Sequence, residues 1–561
     1  MDTDKLDQKL ERLQAHKQEW ADLGIDKKIA MARRLMKRTV DVGPGQVAKA
    51  LEAKGIRPDS PHVGEEWLGG VMATVRNLRL LIETLDSLYH DGETPIDESD
   101  VRKRANGRIA VDVFPKSIWD KLMYTGFEAE VYQQAGVTRE NLFEHMASFY
   151  LHEDPVGRVS LVLGAGNVNS IPPLDCIYKL YAEGEVCILK LNPVNDYIGP
   201  YIEESFREFI DAGYMEVVYG GVDVGEYLVN HDAVETIHIT GSDKSHDAIV
   251  YGTGEEGQER KDADEPLIDK PITSELGNVS PVIVFPGDWS EKELDFQAQN
   301  IASQLVNNAG FNCNAVRVVV TWEDWDQRQE LMDRVVAILE DVGPRAAYYP
   351  GAHDRYESFM DHHDERADQA GEHGEEHLPY AVIRDVDPGN EEDICFQREA
   401  WCTVMSETAL PGEDPAEYLK NAVEFSNDVL WGTLSASIIV DPRAQKTFEA
   451  SIEQAIEDLE YGSVVINHWP ALAYALGSTT WGAYPGHTRQ DIQSGIGVVH
   501  NTFLFDKPEK SVVRGPFVVM PKPPWFATNK KTHEIAPRLV DFDKDPSVYK
   551  SVKILWPALR G

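Results

Sequence analysis

The alternation between Val156 and Pro286 constrains this chain most. Short apolar runs, Val159–Leu163, Glu185–Leu191, Met215–Tyr219 and Glu235–Ile239, have the length and composition of strands. Stretches with helical spacing, Cys176–Ala182, Ile198–Ala212 and Val224–Asn230, separate them. Consecutive strands joined through helices must run parallel, because a tight hairpin reverses direction and a crossover does not. Right-handed crossovers then cover both faces of the sheet, which predicts an α/β fold with a doubly wound, Rossmann-type sheet. In such a sheet ligands bind beyond the carboxyl ends of the strands.

At 561 residues the chain is too long for one core, so two or three domains are expected. Residues 2–39 and Val71–Tyr89 read as amphipathic helices. A second α/β region is expected from Val279 to about Ile466. The charged stretch Gly252–Pro266 reads as an exposed loop. The part after Phe503, with Pro521, Pro523 and Pro524, reads as an extension laid over other elements. The His- and acid-rich stretch His353–His377 matches no metal-ligand spacing and is expected to be a solvated loop, so no metal site is predicted.

Acidic residues (95) far outnumber basic ones (54), for a formal charge of −41. Such a surface repels phosphate backbones and anionic membranes, so neither nucleic acid nor a membrane is expected as a partner. The five cysteines, Cys176, Cys187, Cys313, Cys395 and Cys402, form no CxxC pair and no even set. That fits a reducing cytoplasm better than a disulfide framework. No apolar run is long enough to span a bilayer, and Met1–Lys9 lacks the apolar core of a signal peptide.

Four stretches can carry chemistry. In Asn307–Ala315 a small polar loop delivers Cys313 to the start of the apolar run Val316–Val320. A thiol there is fixed by the strand and open from the loop, as a nucleophile needs to be. A buried, inert cysteine is the alternative. Leu163–Asn169 follows a strand but places Asn169 where a GxGxxG loop needs its third glycine. What remains is a turn presenting Asn167 and Asn169, whose amides can donate to an oxyanion or simply suit the turn. Thr240-Gly241-Ser242 ends a strand and can hold a phosphate or merely cap a helix. Glu275, beside the apolar run Val282–Phe285, can act as a general base if desolvated; otherwise it is a linker carboxylate.

Together these stretches resemble the aldehyde dehydrogenase superfamily over roughly residues 155–497. The motifs are Gly166-Asn167 followed by Ile171-Pro172-Pro173, Gly184–Lys190, Thr240-Gly241-Ser242, Glu275-Leu276-Gly277 and Gly310–Cys313. Glu399-Ala400-Trp401, Trp431–Ala436 and Val464–Asn467 follow in the family order. The resemblance implies a Rossmann-type cofactor domain (1–274, with the N-terminal helices), a catalytic domain (275–470) and a segment (471–561) that returns to the cofactor domain. It implies NAD(P)-dependent oxidation of an aldehyde to a carboxylate, in a homo-oligomer. Cys313 would be the nucleophile, Asn167 the oxyanion donor and Glu275 the base. Lys190, Thr240, Gly241, Ser242, Glu399 and Trp401 would bind NAD or NADP. Two alternatives stay open: a CoA-dependent acyl-thioester oxidoreductase, and a non-catalytic protein retaining the fold.

The sequence also departs from the family pattern. The glutamine usual near the nucleophile is replaced in Gly310-Phe311-Asn312-Cys313, and the charged stretch before Glu275 reads as an insertion. Pro193 stands where NAD-preferring members often carry a glutamate, which removes one barrier to NADP. Trp401, Trp431, His468 and Trp469 are candidates for an aromatic tunnel or for core packing.

Overall fold

The computed structural model describes residues 2–561. Its centre is two sheets with helices on their faces. The smaller has six strands, in the order 495–496, 272–275, 236–240, 159–163, 186–190, 215–218. All pairings except that of Gly495–Ile496 are parallel, as the alternation predicts. The five parallel strands therefore end at one edge, with Leu163 opposite Lys190 and Thr240 opposite Glu275.

The larger sheet has eleven strands, in the order 101–103, 109–114, 128–133, 508–514, 463–466, 435–439, 280–284, 316–322, 404–410, 380–383, 367–370. Its middle is parallel and both edges are antiparallel. The strands from 280 to 466 lie within the second α/β region expected from sequence. Three pieces were not foreseen. The stretch His353–His377, read as a solvated loop, instead holds the helix Ala352–His363 and the edge strand Ala367–Ala370. The strands of 101–133 join this sheet rather than the smaller one. Pro508–Arg514, read as the start of a wrapping extension, is an interior strand, parallel to Ser463–Ile466 and antiparallel to Glu128–Gln133. Pairing over such distances leaves no local signature.

The helix expected over residues 2–39 is two helices, Thr3–Ala21 and Ile25–Ala53. The break at Gly24 lets the first bury Leu6, Leu10, Leu13 and Trp20 against the smaller sheet. Trp20 also donates its indole N–H to the Leu180 carbonyl at 2.9 Å. Ile198–Ala212 is likewise split, into Gly199–Ser205 and Arg207–Ala212.

The stretch Gly252–Pro266 corrects a reading. It is exposed, but Gly254–Ala263 is a helix, with Glu255 and Glu256 in its first turn and Arg260 and Lys261 in its last. Those charges complement the helix dipole, and Arg260 bonds Glu256 one turn back. A helix held this way shows no apolar periodicity.

Residues 517–561 do wrap. The helix Thr532–Lys544 packs on Val63–Glu66, on Ala73–Asp91 and on Trp67–Met72 between them. Trp67–Met72 is a π-helical turn, a wide turn common at functional sites.

Candidate active site

The helix Glu291–Val306 stops at Asn307, and the chain reaches Cys313 through three consecutive left-handed residues, Asn308 (φ 51°), Ala309 (φ 55°) and Gly310 (φ 77°). Two of these carry side chains, so surrounding contacts must hold the loop. A Cβ at Gly310 would stand 2.3 Å from the Cys402 carbonyl oxygen, so only glycine fits there. Arg317, the one charge in the following strand, donates to the Gly310 carbonyl at 2.6 Å and to the Cys402 carbonyl at 2.9 Å.

Cys313 is partly exposed; the other four cysteines are buried. Its thiol donates to Glu275 Oε1 at 3.4 Å. Glu275 ends the strand Ile272–Glu275 and is buried, and its Oε2 has no hydrogen-bond partner among the described residues. Burial raises its pKa to about 7, with Asp175 and Glu399 adding to the shift. Burial, then Glu275 and Glu399, also pushes the Cys313 thiol well above its ordinary range. The resting pair is therefore a neutral thiol bonded to a carboxyl group poised near neutrality.

Asn167 stands beyond the strand Val159–Leu163 and donates one side-chain N–H to the Phe311 carbonyl at 3.0 Å. An amide has a second N–H. The backbone N–H of Cys313 donates to no described residue. Asn167, Glu275 and Cys313 line one cavity of about 120 Å³. Its remaining wall is mostly apolar and includes Leu68, Met72, Tyr124, Ile171, Trp469, Leu472, Trp525 and Leu539. Of the four tunnel candidates only Trp469 lines it. Trp401 meets Tyr349 edge-on, Trp431 packs against the large-sheet core, and His468 hydrogen-bonds the Pro516 carbonyl. Asn169, the other amide of the turn, is committed to Glu66 (3.0 Å) and Tyr197 (3.1 Å).

Residues not singled out from sequence hold the two loops. Lys54, buried at the end of Ile25–Ala53, donates to Glu66 (2.8 Å), to the Asn167 carbonyl (2.9 Å) and to Asn308 Oδ1 (3.1 Å). Burial opposes its charge, but Glu66, Tyr197 and Glu65 outweigh that and its pKa is raised. Asn308 donates its side-chain amide to the Asn167 and Phe311 carbonyls, both at 3.1 Å. Glu65 accepts from the Asn308 backbone N–H (3.1 Å) and from both terminal nitrogens of Arg345 (2.9 Å each). One buried lysine thus ties the Asn167 turn to the Cys313 loop. Lys54→Met would leave Glu66 in the interior without its counter-charge, and a loss of about 3–5 kcal/mol is expected. Turnover should fall with it, and urea unfolding alongside steady-state assays reads both. The Lys-Gly pair ending an amphipathic helix gave no sign of this role.

The cofactor-binding candidates divide. Lys190, at the end of Val186–Lys190, is half-buried, and its ammonium has no hydrogen-bond partner among the described residues. Burial lowers its pKa, against the neighbouring Asp223. Gly241 and Ser242 lead into Asp243–Val250, whose cap is the Ser242 side chain, accepting from Ser245 N–H. Glu399 Oε1 accepts from the Asn278 N–H at 3.2 Å, and burial raises its pKa to about 7. A Cβ on Gly277 would stand 2.2 Å from Glu399 Oε2, so glycine makes room for that carboxyl. These groups fit a nicotinamide dinucleotide: a free ammonium and a carboxyl for hydroxyls, and a helix start for phosphate. Thr240 is different. Its hydroxyl donates to the buried Asp175 at 2.9 Å, so its side chain is spent in the sheet. From the His-rich stretch only His363 meets other donors, Asp393 and Cys395, all within 4.8 Å of one another. His363 bonds Asp393 directly at 2.9 Å, and the same oxygen caps the Cys395 N–H at 3.0 Å. Those contacts account for the cluster without an ion.

Residues 117–346 match the profile of the aldehyde dehydrogenase family. That segment carries the aldehyde dehydrogenase family's sequence pattern. N-succinylglutamate 5-semialdehyde dehydrogenase of Novosphingobium aromaticivorans is 27% identical over 202 residues, 35% of this chain and 40% of that protein. NADP-dependent glyceraldehyde-3-phosphate dehydrogenase of Streptococcus equinus is 25% identical over 304 residues, 51% of this chain and 55% of that protein. The matches thus span about half or less of these relatives. Among solved aldehyde dehydrogenase structures, substrate-bound AldH of Staphylococcus aureus superposes with a TM-score of 0.60 at 15% identity, over 91% of this chain and 93% of that one. The NADP-dependent glyceraldehyde-3-phosphate dehydrogenase of Bacillus halodurans, complexed with NADP, gives 0.58 at 16% identity, over 91% of each chain. These superpositions establish the shared aldehyde dehydrogenase fold.

Proposed function

We propose that this protein oxidises an aldehyde to a carboxylate with NAD or NADP, through a thiohemiacetal and then a thioester on Cys313. The observation carrying this reading is the Cys313–Glu275 contact of 3.4 Å inside an apolar cavity that Asn167 also lines. In the first step the thiol gives up its proton to water and the sulfur bonds the carbonyl carbon. Charge moves to the aldehyde oxygen, which the free N–H of Asn167 and the backbone N–H of Cys313 would hold. The bound nicotinamide supplies the hydride acceptor that takes the substrate from aldehyde to acyl level. Glu275 then accepts a proton from water as its oxygen attacks the thioester carbon, and the Cys313 sulfur leaves with the bonding pair. Cofactor binding is assigned to the six-stranded sheet, through Lys190, Gly241 and Ser242, together with Glu399, which precedes a strand of the eleven-stranded sheet, and the nucleophile is assigned to the eleven-stranded one.

Glu275 weighs against the CoA-dependent alternative, because a buried carboxyl beside the thiol favours hydrolysis. A panel of aldehydes of varied chain length, assayed with both cofactors and with and without CoA, tests the reading. Product formation that required CoA would favour the alternative, and inactivity throughout would favour a non-catalytic protein.

Cofactor choice can be sharpened. Pro193 is exposed and offers no carboxylate, which leaves NADP accessible. Asp223, however, lies close enough to Lys190 to act on its charge, and a carboxylate there opposes a 2′-phosphate. Both cofactors should support turnover, with NAD giving the higher kcat/KM. Asp223→Asn should raise kcat/KM for NADP roughly fivefold to tenfold, about 1 kcal/mol of relieved repulsion. Paired kinetics with the two cofactors check this, and an unchanged ratio would remove Asp223 from the cofactor site.

A further inference from the structure

The helix Val548–Ala558 buries only Ile554 and Pro557. Val548, Tyr549, Val552, Leu555, Trp556 and the adjoining Leu559 are 49% to 69% exposed. Singly exposed apolar residues are ordinary, but six on one short segment are not. The helix Ile118–Met123 packs on the same apolar cluster as Ile554, and its Ile118 and Leu122 are exposed as well, while Trp119 packs edge-on against Phe542.

The charges around this face run against the rest of the molecule. In a chain of formal charge −41, residues 546–561 contain Lys550, Lys553 and Arg560 and no acid. Lys553 stacks over Tyr549 at 4.2 Å and Arg560 over Trp556 at 5.7 Å. Arg538, Lys550 and Lys553 line a groove with Val552 and Trp556, beside a single acid, Asp541. Asp541 and Asp545 pair with Lys550 at the N-terminal end of the face.

We propose that this face docks on an anionic lipid surface, with the helix lying in the headgroup layer. Apolar and aromatic residues flanked by lysine and arginine suit that layer. At eleven residues the helix is far too short to span, and no helix of the described residues is long and apolar enough to cross a membrane. The overall negative charge is no bar, because at 0.1 M salt charges are screened beyond about 10 Å. The bilayer meets only the acid-poor face. A second copy of this chain is the less favoured occupant, since a two-fold pairing would bring two basic grooves together. The neighbouring helix Thr532–Lys544 contributes Leu539 to the cavity wall, so the cavity would lie one helix from the lipid.

The test is cosedimentation of the full chain with vesicles of phosphatidylglycerol and phosphatidylcholine, against phosphatidylcholine alone. Binding is expected to the mixed vesicles only, and to be lost at 1 M salt. Each basic group near an anionic leaflet is worth about fivefold in binding, so Lys553→Glu should weaken it at least about tenfold. Trp556→Asp should abolish it. Both substitutions are at exposed positions outside the cavity, and both variants should keep wild-type turnover. Absence of vesicle binding, equal binding to neutral vesicles, or unaltered binding by both variants would overturn the proposal. So would a two-chain assembly that Trp556→Asp dissociates without any lipid binding, which would assign the face to a second copy.

Discussion

Cys313→Ala should abolish NAD(P)H formation from aldehydes while leaving cofactor binding intact. A fall of at least about 10⁴-fold in kcat is expected, the scale on which removing an enzyme's nucleophile acts. Cofactor affinity should hold, because Lys190, Gly241, Ser242 and Glu399 belong to other elements. The fold should hold as well: the thiol's one hydrogen bond is to Glu275, and the loop is kept in place by Asn308, Lys54 and Arg317. Stopped-flow assays and cofactor titration by fluorescence measure the two quantities. Turnover retained in the variant would remove Cys313 from the reaction and return it to the inert thiols.

Glu275→Gln should separate the two halves of the reaction. A burst of about one NAD(P)H per site is expected to survive, with steady turnover about 10²–10⁴-fold lower, the usual worth of a positioned base. In the wild-type protein the steady rate should rise through about pH 7 as Glu275 ionises, and the variant should lose that limb. Stability carries a second signature. Burial raises the folded-state pKa from 4.5 to about 7. Below about pH 4.5 both states hold the proton. Between there and about pH 7 the folded protein keeps it while the unfolded chain releases it, so stability falls as pH rises. Above that window the full cost, about 3 kcal/mol, stands. Glutamine carries no such cost, so the variant should exceed the wild type in urea midpoint at pH 8 and lose that advantage at pH 4. An unchanged steady rate would count against the base role, whatever the stability shows.

Much of the fold was legible because its signals are local. Four adjacent parallel strands of the six-stranded sheet follow from strand and helix periods repeating between residues 159 and 239, whereas the strand Ile272–Glu275 that sets Glu275 beside Thr240 was not among them. The misreadings fall where local signals fail. Gly254–Ala263 is held by an i,i+4 charge pair and charges that complement its dipole rather than by an apolar stripe, so its helix passed for a loop. Pro508–Arg514 lies between strands about fifty residues before it and nearly four hundred before it in the chain, and nothing in seven residues encodes such partners. Trp401 and Trp431 read equally as tunnel or core, because a tryptophan's exposure depends on what packs over it.

The sequence by itself determined the class of fold and nominated Cys313, Glu275 and Asn167, each through a turn or strand end its own neighbours define. Only the tertiary structure decided that the three share one cavity, that Glu275 is desolvated enough to titrate near neutrality, and that Lys54 binds both loops. Burial and contacts between distant segments arise only when separate elements pack, so no stretch of chain carries them alone. The same holds for Cys313. Its polar, glycine-containing approach was visible in the sequence, but the carboxyl group 3.4 Å away reaches it only because a strand end of the six-stranded sheet packs against the loop that enters the eleven-stranded one.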